Sequence, residues 1–403
     1  MRIAMISEHA SPLAVLGGED AGGQNTHVAE LSTALADAGH DVHVYTRRDD
    51  GTLPLHVPVR PGVTVVHVPA GPPDTVPKDQ LLPYMPEFSR WLVEAWEGDG
   101  WLPEVVHAHF WMSGLAGLTA GRKLGLPVVL TYHALGTVKR RYQGARDTSP
   151  PRRVDYERAL GRSVDRVIAQ SGDEVRELAR MGIPRSRMSV IPSGVDLTAF
   201  APTGPVVPGD RRRVLSVGRL VERKGFGDVI RAMRLVPDAE CVVVGGPPHR
   251  QLDTDPEARR LTDLIAECGL TDRVRLAGAV PREEMPAWYR SADVLVAAPW
   301  YEPFGLTPLE AMACGVPVVG TAVGGLTDTV VPGLTGDLVP ARDPRSLGAA
   351  VQRLLTDRVR RTAYATAALD RARTRYSWQR TADQMADVYA AVSRVTEPSR
   401  VVA

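Results

Sequence analysis

Two glutamates, Glu302 and Glu310, flank a predicted helix start in the second half of the chain. The apolar run from Asp293 to Ala297 before them is typical of a strand that is buried on both faces. Thr307, Pro308 and Glu310 together predict a helix N-terminus with a capping box. A loop between a parallel strand and a helix N-terminus commonly binds anions. Because carboxylates repel phosphate, we expect the glutamates to bind sugar hydroxyls, with capping and solvation as the alternative.

Two cations follow another predicted strand, from Val214 to Val217. Gly218 ends this strand, and Arg219 and Lys224 lie in the turn and helix start behind it. Cations beside a glycine turn suit a diphosphate, because hydrogen bonds to a charged group are stronger than neutral ones. An ordinary basic loop is the alternative for this segment taken alone.

Together the two stretches resemble the donor site of the retaining glycosyltransferases of family 4. The resemblance rests on the pattern E-x7-E from Glu302 to Glu310 and on the segment G-R-x4-K-G that contains Arg219 and Lys224. It covers nearly the whole chain. It implies that Arg219 and Lys224 hold the donor diphosphate, that Glu310 binds the ribose, and that Glu302 lies near the donor sugar.

The resemblance also implies donor contacts made by other segments. The glycine loop before the first helix approaches the donor phosphates, a segment after a later strand reads the base, and the residues between the two glutamates line the site. These further donor-binding candidates are Gly22, Gly23, Val280, Phe304, Gly305, Leu306 and Thr307.

That glycine loop separates a predicted strand, Met1 to Ile6, from a helix that ends at Gly39. We predict Asn25 as the helix N-cap. The loop is not a G-x-G-x-x-G, so the dinucleotide signal is weak, and a flexible surface loop is the alternative. In the resembled family this loop also reaches the acceptor, which implies acceptor contacts for Gln24 and Asn25.

Histidines follow two more predicted strands. We interpret His109 as a wall of the active site, with a structural histidine as the alternative. We expect His107 and His109, two positions apart on a strand, to point to opposite faces and so to be poor ligands for one metal ion. His133 begins a segment that resembles the H-x-x-G stretch of the family. The resemblance implies that His133 faces the donor sugar and belongs to the catalytic residues, with Glu302, Arg219 and Lys224.

A D-x-D pattern at Asp253 and Asp255 could suggest a metal site. Pro256 and Glu257 begin a predicted helix directly after it. We therefore interpret the pattern as a helix cap. We expect no metal site and no cofactor.

The acceptor site departs from its nearest family pattern, that of the sucrose-phosphate synthases and of the inositol-phosphate transferases of mycothiol synthesis. The latter hold an acceptor phosphate with a Lys, an Arg, a Tyr and a Thr. Lys78 and Arg153 match the two cations, but Phe110 and Ala134 stand where the hydroxyls are expected. We therefore expect an unphosphorylated acceptor, or a phosphate held by the basic run that starts at Lys139. The alternative is that these cations are merely solvated.

The length of 403 residues suits two domains. The resemblance implies the GT-B fold, an α/β architecture of two doubly wound Rossmann-like domains that face a central cleft. We predict an acceptor domain over residues 1–198, a linker over 199–212 and a donor domain over 213–376. The terminal helix, predicted over 377–397, crosses back to the first domain.

The composition excludes other classes. The formal net charge of +1 gives no overall attraction to nucleic acid. No apolar run is long enough to cross a membrane, and we recognise no signal peptide. The three cysteines lie far apart, which indicates free thiols and a cytoplasmic location.

We therefore expect a monomeric or homodimeric retaining glycosyltransferase. It moves a hexosyl group from a nucleotide diphosphate sugar, with UDP favoured, to a hydroxyl of a small polyol, cyclitol or sugar. Three alternatives remain open: a glycoside phosphorylase, an epimerase on the same fold, and a non-catalytic module that binds nucleotide sugars.

Overall fold

The computed structural model describes residues 1–13, 22–98 and 100–396. The chain divides into two compact units. The first unit contains the described residues up to 192 and the terminal segment from residue 378, and the second contains residues 193–377. None of the helices in the described ranges has both the length and the apolar character that a bilayer-spanning segment requires.

An eight-stranded sheet forms the centre of the first unit. Its order is β3-β4-β2-β1-β5-β6-β7-β8, and every pair is parallel except β3 with β4. The strands are β1 (Arg2–Ile6), β2 (Asp41–Arg47), β3 (His56–Arg60), β4 (Val63–Val68), β5 (Val105–His109), β6 (Val128–Thr131), β7 (Arg166–Ala169) and β8 (Met188–Val190). We did not predict β3, because it is a mostly exposed edge strand that contains a proline.

The second unit has a six-stranded sheet in the order β11-β10-β9-β12-β13-β14, with every pair parallel. Its strands are β9 (Arg212–Val217), β10 (Ala239–Val244), β11 (Val274–Gly278), β12 (Val294–Ala297), β13 (Val318–Thr321) and β14 (Gly336–Val339). We did not predict β14, which has only four residues, an aspartate among them.

Helices alternate with the strands in both units. Those before residue 192 are α1 (Gly23–Asp37), α2 (Met85–Gly98), α3 (Trp111–Leu124), α4 (Gly136–Gln143), α5 (Arg153–Ser163) and α6 (Gly172–Arg180). The second unit contains α7 (Phe226–Ala232), α8 (Pro256–Glu267), α9 (Met285–Arg290), α10 (Leu306–Ala313), α11 (Leu326–Thr329), α12 (Pro344–Thr356) and α13 (Arg358–Arg375). The final helix, α14 (Trp378–Thr396), belongs to the first unit.

Both sheets are buried on their two faces, as their apolar strands predict. In β1, Ile3 and Met5 face one hydrophobic cluster while Ala4 and Ile6 face the other. The strand order reverses between β1 and β5 in the first unit and between β9 and β12 in the second. Such a switch point opens a crevice at the carboxyl ends of the strands, where ligands bind in this class of sheet. The predicted α/β class with two Rossmann-like sheets is confirmed.

Two predicted helix caps are wrong. Gly22, not Asn25, is the N-cap of α1, and the Asn25 side chain instead accepts a hydrogen bond of 3.0 Å from the Gly22 N–H. Gly305 with φ of 93° is the N-cap of α10, so Thr307 does not cap that helix. Glycine adopts this backbone conformation without strain, which allows the helix to start earlier. The cap at Asp255 is confirmed, since its side chain accepts from the N–H of Ala258 at 2.8 Å.

Gly225 allows the turn before α7 to pack on the end of β12. Its φ is 73°, and a Cβ at this position would clash with the carbonyl oxygen of Ala298. Gly269 has a similar φ of 67°, but a Cβ there would have no neighbouring atom within 4 Å. A comparison of substitutions at these two glycines therefore distinguishes the cost of backbone strain from the cost of a steric clash.

We expect Gly269→Ala to destabilise the second unit by about 1–2 kcal/mol, the cost of a left-handed conformation for a residue with a Cβ. Gly225→Ala has the same backbone strain and must also displace Ala298. It should therefore lower the free energy of unfolding by about 1–3 kcal/mol more than Gly269→Ala does. Urea unfolding of both variants measures the difference. Equal midpoints for the two variants would contradict the close packing at Gly225.

Candidate functional site

In the second unit, charged side chains gather where β9 and β12 end. The Lys224 ammonium donates a hydrogen bond to the Glu302 carboxylate, and the side chains are only 19% and 13% exposed. Burial lowers the pKa of Lys224, although Glu302 acts in the opposite direction. Burial alone would raise the pKa of Glu302, but the nearby positive charges outweigh it and the net shift is downward. Each of the two groups therefore favours the charged form of the other.

Arg219 belongs to the same group of charges. It follows Gly218 at the end of β9, and its charge contributes to the pKa shifts of both Lys224 and Glu302. The structure thus brings together the two cations and the first glutamate that the sequence singled out. Lys224, Glu302 and Thr307 also line one shared pocket.

The backbone holds the Glu302 loop in place. The N–H of Gly325 donates to the carbonyl oxygen of Glu302 at 3.0 Å, and a side chain at Gly324 would clash with that oxygen. The loop then enters α10 through Gly305. The first N–H groups of a helix have no acceptor within it, so Leu306 and Thr307 offer donors at the positive end of the helix dipole.

Glu310 does not cap its helix. Its carboxylate accepts a hydrogen bond of 2.6 Å from the Tyr289 hydroxyl and one of 3.1 Å from Arg282. We missed both partners, which come from the segment after β11 and from α9. The only sequence signal was the position of Arg282, two residues after the predicted base-contacting Val280.

Two of the other predicted donor residues pack in or against the hydrophobic core. Phe304 is 6% exposed and lies in a buried cluster, and the half-buried Val280 packs against the same cluster. Little of the Phe304 side chain is therefore open to a ligand, whereas Val280 keeps part of its surface exposed. Gly22 and Gly23 lie at the start of α1 in the first unit, and their donor contacts remain predictions.

Four histidines lie together in the first unit. The rings of His107 and His109 are 4.1 Å apart between centroids, so the expectation that they point to opposite faces is wrong. Residues two apart in a strand share a face. His133 follows β6 with φ of 60°, and its Nε2 lies 2.9 Å from Nδ1 of His109. His27 of α1 completes the group, 4.9 Å from the His133 ring.

We missed His27, although its signal was in the sequence. It precedes Leu31 by four residues and Leu35 by eight, which places it on the buried face of α1. Burial lowers the pKa of His27 and His107 to about 3 and holds the pKa of His109 and His133 well below the usual range. All four rings are therefore neutral at physiological pH.

The predicted acceptor residues of α1 bond to other parts of the first unit. The Gln24 amide donates to Ser7 at 3.1 Å and to the carbonyl oxygen of His109 at 3.3 Å. The Asn25 amide donates to the carbonyl oxygen of Ser11 at 3.0 Å. These bonds tie the loop after β1 to the end of β5, so both side chains have a positioning role there.

Arg153 is bound by a carboxylate that the sequence analysis did not identify. Its guanidinium, with a side chain only 2% exposed, donates to Glu157 at 2.8 Å and to the carbonyl oxygen of Ala134 at 2.7 Å. It also lies 5.0 Å from the Phe110 ring centroid. Burial raises the pKa of Glu157 while Arg153 acts to lower it.

Lys139 is paired in the same way. Its ammonium lies 3.2 Å from Asp79 and 3.2 Å from Asp147. Lys78 is half-buried beside Asp79 in a short 3-10 turn. Arg153 and Lys139, two of the cations that we predicted for acceptor binding, are therefore already matched by carboxylates.

We expect Arg153→Met to destabilise the first unit by about 3–5 kcal/mol, because it leaves the Glu157 carboxylate buried without its partner. Arg176→Met is the matched control. Arg176 pairs with Asp173 in an exposed contact of the same unit, and its loss should cost no more than about 1 kcal/mol. Urea unfolding measures the free energy of unfolding of the two variants. An equal decrease in both would contradict the idea that burial of the Arg153–Glu157 pair makes its loss more costly.

Two family profiles match the chain. The profile described as Glycosyltransferase Family 4 matches residues 21–199. The profile described as Glycosyl transferases group 1 matches residues 202–371.

Curated proteins and a solved structure align with nearly the whole chain. A D-inositol 3-phosphate glycosyltransferase of Xylanimonas cellulosilytica is 37% identical over 412 residues, covering 98% of this chain and 97% of the relative. D-inositol 3-phosphate glycosyltransferase 1 of Catenulispora acidiphila is 36% identical, with coverages of 96% and 95%. A sucrose-phosphate synthase structure from Thermosynechococcus elongatus has a TM-score of 0.89 at 34% identity, with coverages of 98% and 99%. The chain therefore belongs to the family 4 glycosyltransferases and is an enzyme with the GT-B fold.

Proposed function

We propose that this enzyme transfers a hexosyl group from a UDP-sugar to a hydroxyl of a small polyol, cyclitol or sugar, with retention of the anomeric configuration. The observation that carries the proposal is the ion pair of Lys224 and Glu302, with Arg219 nearby, where β9 and β12 end. Nucleotides bind at such a position in open parallel sheets. The choice of UDP rests on the resemblance to the sucrose-phosphate synthases and the mycothiol-pathway transferases.

Arg219 and Lys224 hold the donor diphosphate. As the bond from the sugar to the diphosphate breaks, negative charge grows on the leaving phosphate, and cations already in position stabilise it. The N–H groups of Leu306 and Thr307 add donors at a helix N-terminus. These groups together make a divalent metal unnecessary for the step.

The two glutamates bind hydroxyl groups. Glu302 accepts hydrogen bonds from the transferred sugar, and its negative charge stabilises the positive charge that develops on the sugar ring. Glu310, oriented by Tyr289 and Arg282, accepts from the ribose. His133, which the family resemblance assigns to the donor sugar, is neutral and acts through hydrogen bonds.

Retention requires the acceptor oxygen to bond to the anomeric carbon on the face from which the diphosphate leaves. The bond from the anomeric carbon to the diphosphate oxygen breaks, and the diphosphate takes the acceptor proton. No further carboxylate is needed as a base. The glycosylated acceptor and UDP are the products. Cytoplasmic location and a monomeric or homodimeric state remain predictions.

We expect Lys224→Ala to lower kcat by about 10²–10³, the usual effect of removing one preorganised charge from a developing anion. Lys123→Ala, an exposed lysine of α3, is the control and should keep normal turnover. NMR of the product in the presence of EDTA measures the rate and the anomeric configuration together. Normal kcat in a folded Lys224→Ala protein would contradict the assignment.

Loss of wild-type activity in EDTA, restored by Mg²⁺ or Mn²⁺, would contradict metal independence.

We also propose that the acceptor is unphosphorylated, unlike the acceptor for which the inositol-phosphate relatives are named. Glu157 offsets the charge of Arg153, and Asp79 and Asp147 offset that of Lys139. The guanidinium carbon of Arg153 lies over the Phe110 ring, 5.0 Å from its centroid. A phosphate at these cations would meet carboxylates that repel it and an apolar ring that offers no hydrogen bond.

We expect wild-type enzyme to prefer inositol over inositol 3-phosphate by about tenfold or more in kcat/KM, the equivalent of one missing hydrogen bond to a charged group. Glu157→Gln removes the carboxylate charge but keeps the side-chain shape, so it should shift the ratio towards the phosphorylated acceptor. Asp173→Asn, at the exposed pair, should not change the ratio. A wild-type preference for inositol 3-phosphate that is lost in Arg153→Ala would contradict this proposal.

A further inference from the structure

Three histidines of the first unit, which we call the histidine triad, come from three different elements. His27 lies on α1, His109 ends β5 and His133 follows β6. One nitrogen from each ring lies within 4.8 Å of the others. Such convergence of imidazoles in a buried position is not needed for packing, because an aliphatic side chain fills such a space without polar atoms that require partners.

The histidine triad has the donor set of a transition-metal site. Neutral imidazole nitrogen is a preferred ligand of Zn²⁺, Cu²⁺, Ni²⁺ and Co²⁺, whereas Mg²⁺ and Ca²⁺ prefer oxygen. Three histidines with a fourth position open to water or a ligand form a known zinc arrangement. We propose that the histidine triad binds one divalent transition-metal ion.

The rings need only small movements to reach the ion. Bonds of about 2.0–2.1 Å in a tetrahedral arrangement place the ligand nitrogens about 3.3 Å apart. His109 and His133 already meet at 2.9 Å, so His27 has to approach them by a side-chain rotation. The hydrogen bond between His109 and His133 breaks on binding. Its proton moves to the other nitrogen of its own ring, so neutral imidazoles donate lone pairs and no proton is released.

Neighbouring polar groups can orient the ligands. The Gln170 amide nitrogen lies 3.2 Å from Nδ1 of His27. If the amide turns by about 180°, its oxygen accepts an Nδ1–H of His27, which leaves Nε2 without a proton and able to bind the metal. His107 supports the rings from β5 and bonds on both nitrogens, to Tyr389 at 2.6 Å and to Thr131 at 2.9 Å. Metal-binding histidines commonly have such outer partners.

The ion is expected to inhibit the enzyme. This consequence rests on the proposed function, in which His133 contacts the donor sugar. An ion bound at His133 removes that nitrogen from the sugar. The ion is thus distinct from a catalytic metal at the diphosphate, and a chelator should relieve the inhibition.

The test uses the full chain without a polyhistidine tag, first stripped of metal and then titrated with Co²⁺. We expect a visible ligand-field absorption that saturates at one ion per chain and disappears when Zn²⁺ is added. His27→Gln and His133→Gln should each lose this absorption. His56→Gln, an exposed histidine on β3, should keep it. Far-UV circular dichroism checks that each variant is folded.

Absence of this absorption in the wild-type protein, or its full retention in folded His27→Gln and His133→Gln, would overturn the proposal. The measurement needs no substrate, so it does not depend on the proposed function. Saturating Co²⁺ binding that leaves turnover unchanged would support the metal site and count against the assignment of His133 to the donor sugar.

Discussion

A cation that is buried in a protein needs a partner, because the cost of removing it from water exceeds what the uncharged surroundings return. In this enzyme that constraint governs the charged groups of both units. Lys224 meets Glu302 in the second unit, and Arg153 meets Glu157 in the first. Each pair brings a cation into a partly dry position without leaving its charge uncompensated. The carboxylates of these pairs also repel negative charge on any ligand that binds beside them.

The two pairs differ in exposure, and this difference has chemical consequences. The Lys224–Glu302 pair keeps part of its surface open and lies beside the N-terminus of α10. A diphosphate can therefore reach the ammonium and share it with the carboxylate. The Arg153–Glu157 pair is almost fully enclosed and has further bonds to Ala134 and Gly136. It stabilises the wall of a site more readily than it binds an incoming anion.

The buried histidines also avoid an uncompensated charge, but they do so by remaining neutral. Burial favours the neutral form of each ring over the charged one. The pKa values of His27 and His107 accordingly fall to about 3. Neutral rings can hydrogen-bond to each other or coordinate a metal, but they cannot supply positive charge to a leaving group. The cations of the second unit therefore carry that task in the proposed mechanism.

The α/β class, the alternation of strands and helices, and the residues at the strand ends could all be predicted from the sequence. Those properties depend on local patterns, such as continuous Val and Leu runs for strands buried on both faces and the spacing of Glu302 from Glu310. Which side chains contact each other could not be predicted in this way, because it depends on the packing of the folded chain. Glu302 lies 78 positions from Lys224, and Asp79 lies 60 from Lys139, so no local pattern connects them. The same holds for His27 with His133, whose rings lie 4.9 Å apart although they come from different elements. Pairing across such separations follows from the order of strands in the sheet, because that order sets which strand ends become neighbours.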